Sequence, residues 1–155
     1  MAGQKAQLSV GGTDSREDHS KYLMKFISED QVTAVGTITQ MPVFVQLMIP
    51  GNTEAIDMYF GMQRAAEKYK DQAKFTVVNC SKHLAFCQGV GMRGKIHVDV
   101  YFPPMTNPSG KQVVPIEPYY GNPTDIGFQT YMRKFGILPN NKNIDKGSRF
   151  VAAAV

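Results

Sequence analysis

The chain reads as an α/β fold in which a sheet is flanked by helices, and three observations point there. Residues 43–49 form a compact apolar run rich in β-formers, with the length of a buried strand. Residues 53–69 and 126–135 carry apolar side chains at helical spacing. Shorter β-rich segments alternate with helical ones, and this order packs as a sheet covered by helices on both faces, with parallel strands expected.

Taken in order, residues 1–19 are polar, contain Gly, Ser and Thr, and show no apolar periodicity, so they read as an arm. Tyr22, Leu23, Phe26 and Ile27 give helical spacing over residues 20–29, with Ser20 as the N-cap. After the strand at 43–49, Asn52 or Thr53 caps a second helix. Its buried stripe is Ile56, Tyr59, Phe60, Met62, Ala66 and Tyr69, while Arg64, Glu67, Lys68 and Lys70 face water.

Residues 75–78 read as a short strand, 81–88 as a short helix and 98–102 as another strand. A Pro-rich turn at 103–109 leads to a segment at 113–120. Pro115 and Pro118 cannot donate ladder hydrogen bonds, which makes it an edge strand. Asn122-Pro-Thr-Asp125 opens a last helix carrying Ile126, Phe128, Tyr131, Met132 and Phe135, and Gly136 ends it. Residues 137–155 form a second polar arm.

At 155 residues, 43% hydrophobic and 19% charged, the chain has the size and make-up of one globular domain with its own core. It lacks the roughly 18-residue apolar run that a membrane helix needs. The net charge of +4 is scattered, with no block of like charge and no nucleic-acid motif. Nucleic acid is therefore expected only as a contact inside a larger particle. The first residues show no signal-peptide hydrophobic core, so secretion is disfavoured and cytosol and mitochondrion both stay open.

Several local motifs, in this order, resemble the thioredoxin family, most closely a protein disulfide isomerase catalytic domain. The family's Val-Glu-Phe-Phe-Ala-Pro-Trp-Cys-Gly-His-Cys is matched without a gap by Val45-Gln-Leu-Met-Ile-Pro50-Gly-Asn52-Thr-Glu-Ala55. Its Val-Asp-Cys, six residues, Cys is matched by Val78-Asn-Cys80, six residues, Cys87. Gly91-Met-Arg-Gly94-Lys-Ile96-His97 and the strand after it follow, and Tyr119-Tyr-Gly121 matches the Tyr-x-Gly before the final helix. The resemblance implies a thioredoxin-like fold with a central mixed sheet over residues 20–136.

It also implies which positions once carried chemistry. The family's two thiols align with Asn52 and Ala55, and neither side chain can attack or re-form a disulfide. Its buried Glu aligns with Gln46, which does not titrate, and its cis-proline with Ile96, where a trans bond is expected. Cys80 and Cys87 align with a structural cysteine pair, disulfide-bonded in an oxidising space and free buried thiols in a reducing one. Asn52, Thr53, Lys95 and His97 would face the old groove.

For each residue a plain structural reading stands beside the functional one. Asn52-Thr-Glu-Ala is favoured as a helix cap over an anion site, because Glu54 and Asp57 already occupy that helix end. His97 is favoured as a hydrogen-bonded structural residue, with no nucleophile at a recognisable spacing. His19 is expected to be solvated. No metal or cofactor is expected, since His83 between two cysteines lacks a fourth ligand. The expected function is a non-enzymatic structural subunit of a multiprotein assembly, contacting other subunits through its arms. The competing expectation is a chaperone-like module that binds peptides or client proteins.

Overall fold

The computed structural model describes residues 18–137, so the two polar arms lie outside the described residues apart from Asp18, His19 and Ile137. In chain order the elements are α1 (Glu29–Thr39), β1 (Val43–Met48), α2 (Ile56–Lys68), β2 (Lys74–Asn79), α3 (Leu84–Val90) and β3 (His97–Tyr101). The small hairpin strands β4 (Met105–Thr106) and β5 (Gln112–Val113) come next, then β6 (Ile116–Pro118) and α4 (Asp125–Lys134).

The main sheet has the order β2-β1-β3-β6. β1 runs parallel to β2 but antiparallel to β3, and β3 runs antiparallel to β6. The sheet is therefore mixed, not parallel throughout, and connection length explains why. α2 has 13 residues and returns the chain across the sheet to start β2 beside β1. α3 has seven residues, a rise of about 10 Å, against about 20 Å for a six-residue strand. The chain therefore re-enters at the end it left, and β3 runs the other way.

All six β1 side chains are buried, and alternate residues feed opposite faces. Phe44 faces α2 and α4 in a cluster with Met58, Met62, Phe75, Phe128 and Met132. Its ring stacks on Phe75 at 4.7 Å and meets Phe128 edge-on at 5.8 Å. Val43, Val45 and Leu47 face the other way, against Val32 of α1 and Cys87 of α3. Gly61 lets α2 approach the loop before α4, because a Cβ there would lie 2.7 Å from Pro123. Tyr119 folds over Gly121 to donate its hydroxyl to the Asn122 carbonyl, the physical basis of the Tyr-x-Gly signature.

The N-terminal region departs from the sequence expectation. Residues 20–29 are not a helix: a single 3₁₀ turn at Ser20–Tyr22 leads into extended chain. Met24 bridges in parallel to Thr76, with Met24 N–H donating to the Phe75 carbonyl at 2.8 Å. Of the apolar positions that matched a helix, Phe26 packs on one side of the sheet, beside Met24, and Leu23 on the other, as extended chain allows.

The first helix is α1, capped by Ser28, whose side chain accepts the Gln31 N–H at 3.1 Å. Its β-branched Thr, Val and Ile residues are weak helix formers, so only Ser28-Glu-Asp-Gln31 signals its start. His19 is only partly solvated: its backbone N–H donates to Gln63 Oε1 at 2.7 Å and its Nδ1 lies 3.3 Å from Glu67.

At the other end, residues 107–110 turn the β4–β5 hairpin around Asn107, whose Oδ1 accepts from Ser109 and Lys111. β6 is an edge strand bounded by Pro115 and Pro118. Gly136, at φ +68, closes α4, and Ile137 returns into the core with its N–H on the Met132 carbonyl. No helix among the described residues is long and apolar enough to cross a membrane.

Two stability measurements check this architecture. Ser28→Ala should lower the urea unfolding free energy by about 1 kcal/mol, and Ser20→Ala should change it by less than about 0.5 kcal/mol. If the two variants lose equally, the position of the first helix is wrong. The second measurement concerns alkali. Burial holds the Tyr119 and Tyr131 phenols well above their usual 10.0, and so it does Tyr101, which also donates to Glu29. Above pH 10 the unfolded chain ionises these phenols while the fold keeps them protonated, so stability is intact below that pH and falls above it. Tyr131 Oη is buried without a partner, so Tyr131→Phe should leave neutral stability unchanged or raised and should flatten the alkaline loss.

Candidate functional site

The residues that the sequence resemblance brings together meet at the ends of β1 and β3 and the start of α2. Gly51, at φ +89, turns the chain after β1, and Asn52 donates its N–H to the Ile49 carbonyl. Asn52 Oδ1 accepts the Glu54 N–H at 3.1 Å and caps a 3₁₀ turn, Thr53–Ala55, that runs into α2. Thr53 is exposed and makes no cap, so of the two candidates Asn52 alone does this.

Asn52 also reaches across the site. Its Nδ2 donates to the Lys95 carbonyl at 2.9 Å, and Lys95 Nζ lies 2.9 Å from Glu54 Oε1. The Glu54 hydrogen bond holds the Lys95 ammonium above the usual lysine range. Both charged side chains are more than half exposed, so this pair adds little stability. Together these contacts tie the α2 start to the loop before β3. Ile96, next in that loop, is about half exposed, and no cis peptide bond occurs among the described residues.

Beneath this staple the site is polar but lacks an ionisable group. Ala55 is fully buried, and its carbonyl accepts Gln46 Nε2 at 3.2 Å. Gln46 is itself fully buried, and its Oε1 has no hydrogen-bond partner. A buried acceptor left unpaired costs about 1–3 kcal/mol. Neither Asn52 nor Ala55 offers a thiol, and Gln46 offers no titrating proton.

His97 is the residue whose place differs most from the expectation. It does not face the groove; its side chain is fully buried on the opposite face of β3, against the α1 and α3 layer. Its Nδ1 accepts the Arg93 backbone N–H at 2.9 Å, so the ring proton sits on Nε2 and points at Asp99 Oδ2, 2.9 Å away. Arg93 in turn places NH1 3.0 Å from Asp99 Oδ1 and lies over the Tyr120 ring at 5.4 Å. Both imidazole nitrogens are engaged. This is a buried polar brace that ties the loop at 91–96 to β3.

Sequence reading found His97 but missed Arg93 and Asp99. The signal for Asp99 is a carboxylate inside the apolar strand Val98-Asp-Val-Tyr, which is tolerated only when a charge or donor meets it.

Cys80 and Cys87 are joined in a disulfide with Cα atoms 5.8 Å apart, linking the end of β2 to α3. His83 turns edge-on to the Phe26 ring at 4.9 Å. No group of three or more His, Cys, Asp and Glu among the described residues is arranged to hold a metal ion.

No protein-family model and no curated protein matches the chain. Solved structures do. The J-Trx1 fragment of ERdj5 is similar at a TM-score of 0.58 and 14% identity, over 74% of this chain and 52% of that one. The Trx4 domain of ERdj5 is similar at a TM-score of 0.54 and 14% identity, over 75% of this chain and 98% of that one. Full-length ERdj5 gives a TM-score of 0.57 at 14% identity, over 76% of this chain and 16% of that one. The chain thus spans about half of the J-Trx1 fragment and one complete Trx domain. At such low identity the likeness shows the fold, which is thioredoxin-like, and nothing about activity.

The brace gives a direct check. Asp99→Ala leaves a buried His97 N–H without its acceptor and Arg93 without its counter-charge, and should cost about 2–3 kcal/mol in urea unfolding. Asp99→Asn keeps an acceptor and should lose clearly less. Equal losses would mean that the hydrogen bond to His97 carries no weight.

Proposed function

We propose that this chain is a non-enzymatic thioredoxin-fold protein, descended from a disulfide isomerase-like domain, that serves as a structural subunit of a larger multiprotein assembly. The observation that carries the reading is the Asn52 staple. Where the resemblance aligns two thiols, this chain has a capping amide and a buried methyl group. Dithiol exchange at that helix end needs a sulfur that is absent. The staple also bears on the competing reading, a peptide- or client-binding module. An extended peptide adding along the loop at 94–96 would need backbone groups there, and the Lys95 carbonyl is already taken.

The partner contacts in this proposal lie in the polar arms, residues 1–19 and 137–155, with Lys142, Lys146 and Arg149 suited to an acidic or phosphate-bearing surface. The disulfide is compatible with an oxidising mitochondrial space, with the cytosol as the other option.

The purified protein should show no insulin reduction and no disulfide isomerisation above blank. Asn52→Cys with Ala55→Cys should restore little, because Gln46 and Ile96 remain. Activity near that of a genuine isomerase domain would sink the proposal. Affinity purification of the full chain from fractionated native extract should give a fixed set of stoichiometric partners, lost on removal of both arms. Many substoichiometric clients would favour the chaperone-like alternative.

A further inference from the structure

α3 is held to the domain in an unusual way. It has seven residues, well below the length at which a helix is stable alone, and its start has no side-chain cap. Gly91, at φ +76, ends it. Of its side chains only Cys87 is buried; Phe86 and Val90 are partly covered and the rest face solvent. The one fully buried anchor of this helix is thus a disulfide half-cystine, bonded to Cys80 at the end of β2, whose N–H is fixed to the Met48 carbonyl.

The bond also borders a cleft. Cys80 and Cys87 line a cleft of about 360 Å³ together with Ile49, Leu84, Gly91 and Met92. The cleft is apolar, and its outer walls, Ile49 and Leu84, are more than half exposed. A disulfide sealed inside a core resists thiols for lack of an approach. Here Cys80 and Cys87 are buried, yet both line a cleft whose outer walls are exposed.

We propose that the Cys80–Cys87 bond is a reducible latch: a small dithiol enters this cleft and breaks the bond, and α3 then detaches from the sheet while the rest of the domain stays folded. The inference is independent of the proposed structural role and concerns a different bond from the one the family uses.

The chemistry balances with the dithiol alone. One of its thiolates attacks a cysteine sulfur. The Cys80–Cys87 bond breaks, a mixed disulfide forms, and the released cysteine takes up the proton that the attacker lost. The second thiol of the reductant then attacks its own sulfur in the mixed disulfide. The products are two cysteine thiols and a cyclic disulfide, so two electrons and two protons pass to the chain. Selectivity for α3 follows from packing. β1, β2 and β3 are held by ladder hydrogen bonds and by the cluster around Phe44, which contains neither cysteine.

The test uses the full chain under native conditions with millimolar dithiothreitol, read by thiol alkylation and by amide hydrogen exchange. Alkylation should show both cysteines freed without denaturant, and protection over Leu84–Val90 should fall by about tenfold or more while β1 and β3 stay protected. Cys80→Ser with Cys87→Ser should show the same local loss without reductant. Leu84→Trp, which narrows the cleft at an exposed position, should slow reduction about fivefold. A bond that yields only in denaturant overturns the latch. So does a reduced protein whose α3 stays protected, or one whose exchange rises equally in the sheet. An unchanged rate in Leu84→Trp overturns the cleft as the route of attack.

Discussion

Val43–Met48 carries ladder partners along both edges and a buried layer on each face, and the other parts of the molecule are positioned against it. Its odd residues fix α1 and α3 on one side, and Phe44 fixes α2 and α4 on the other. A strand in that position admits no exposed side chain, and a one-residue slip would exchange the two layers. The constraint extends to the candidate site. Gln46 follows the same alternation, so its amide must lie under the α2 start, where it meets the Ala55 carbonyl. Once β1 is placed, the turn at Gly51 and the cap at Asn52 have little freedom left.

Around that strand the domain uses two kinds of cross-link where the resemblance aligns catalytic machinery. At the α2 start they are hydrogen bonds: Asn52 to Lys95, Asn52 to Glu54 and Gln46 to Ala55. On the opposite face of β3, His97, Asp99 and Arg93 brace the same loop from behind. The loop at 91–96 is thus held on both sides by neutral or compensated groups. Both imidazole nitrogens of His97 and the Asn52 amide are committed to partners within the fold. The two cysteines lie instead away from that site, where their disulfide joins the end of β2 to the seven-residue α3.

Much of the middle of the chain was legible in the sequence. The strand at 43–49 stood out because it is apolar at every position but Gln46, and α2 and α4 because each buries one stripe. The edge character of β6 followed from two prolines that cannot donate. Residues 20–39 were misread. The apolar positions from Tyr22 to Ile27 satisfy period two and period 3.6 equally over so short a stretch, and α1 is built from weak helix formers. The strap at Met24 exists because β2 offers it an edge, and α1 because the sheet covers Val32.

For the site, residue types alone decided what chemistry is missing. An amide, a methyl group and an isoleucine have no thiol, no titrating carboxyl and no pyrrolidine ring, wherever the fold puts them. Which way a side chain points was decided only by tertiary structure. His97 and Ile96 are neighbours in sequence, and either could have faced the groove. The antiparallel register with β1 sets Leu47 opposite His97, which sends the imidazole to the buried α1 and α3 face. Arg93 and Asp99 became its partners for the same reason, since residues two apart on a strand share a face while a loop can return to meet them. Sequence thus determined the inventory of reactive groups, because that is a matter of covalent chemistry. Register and long-range pairing determined their company, because these depend on which distant backbone lies alongside.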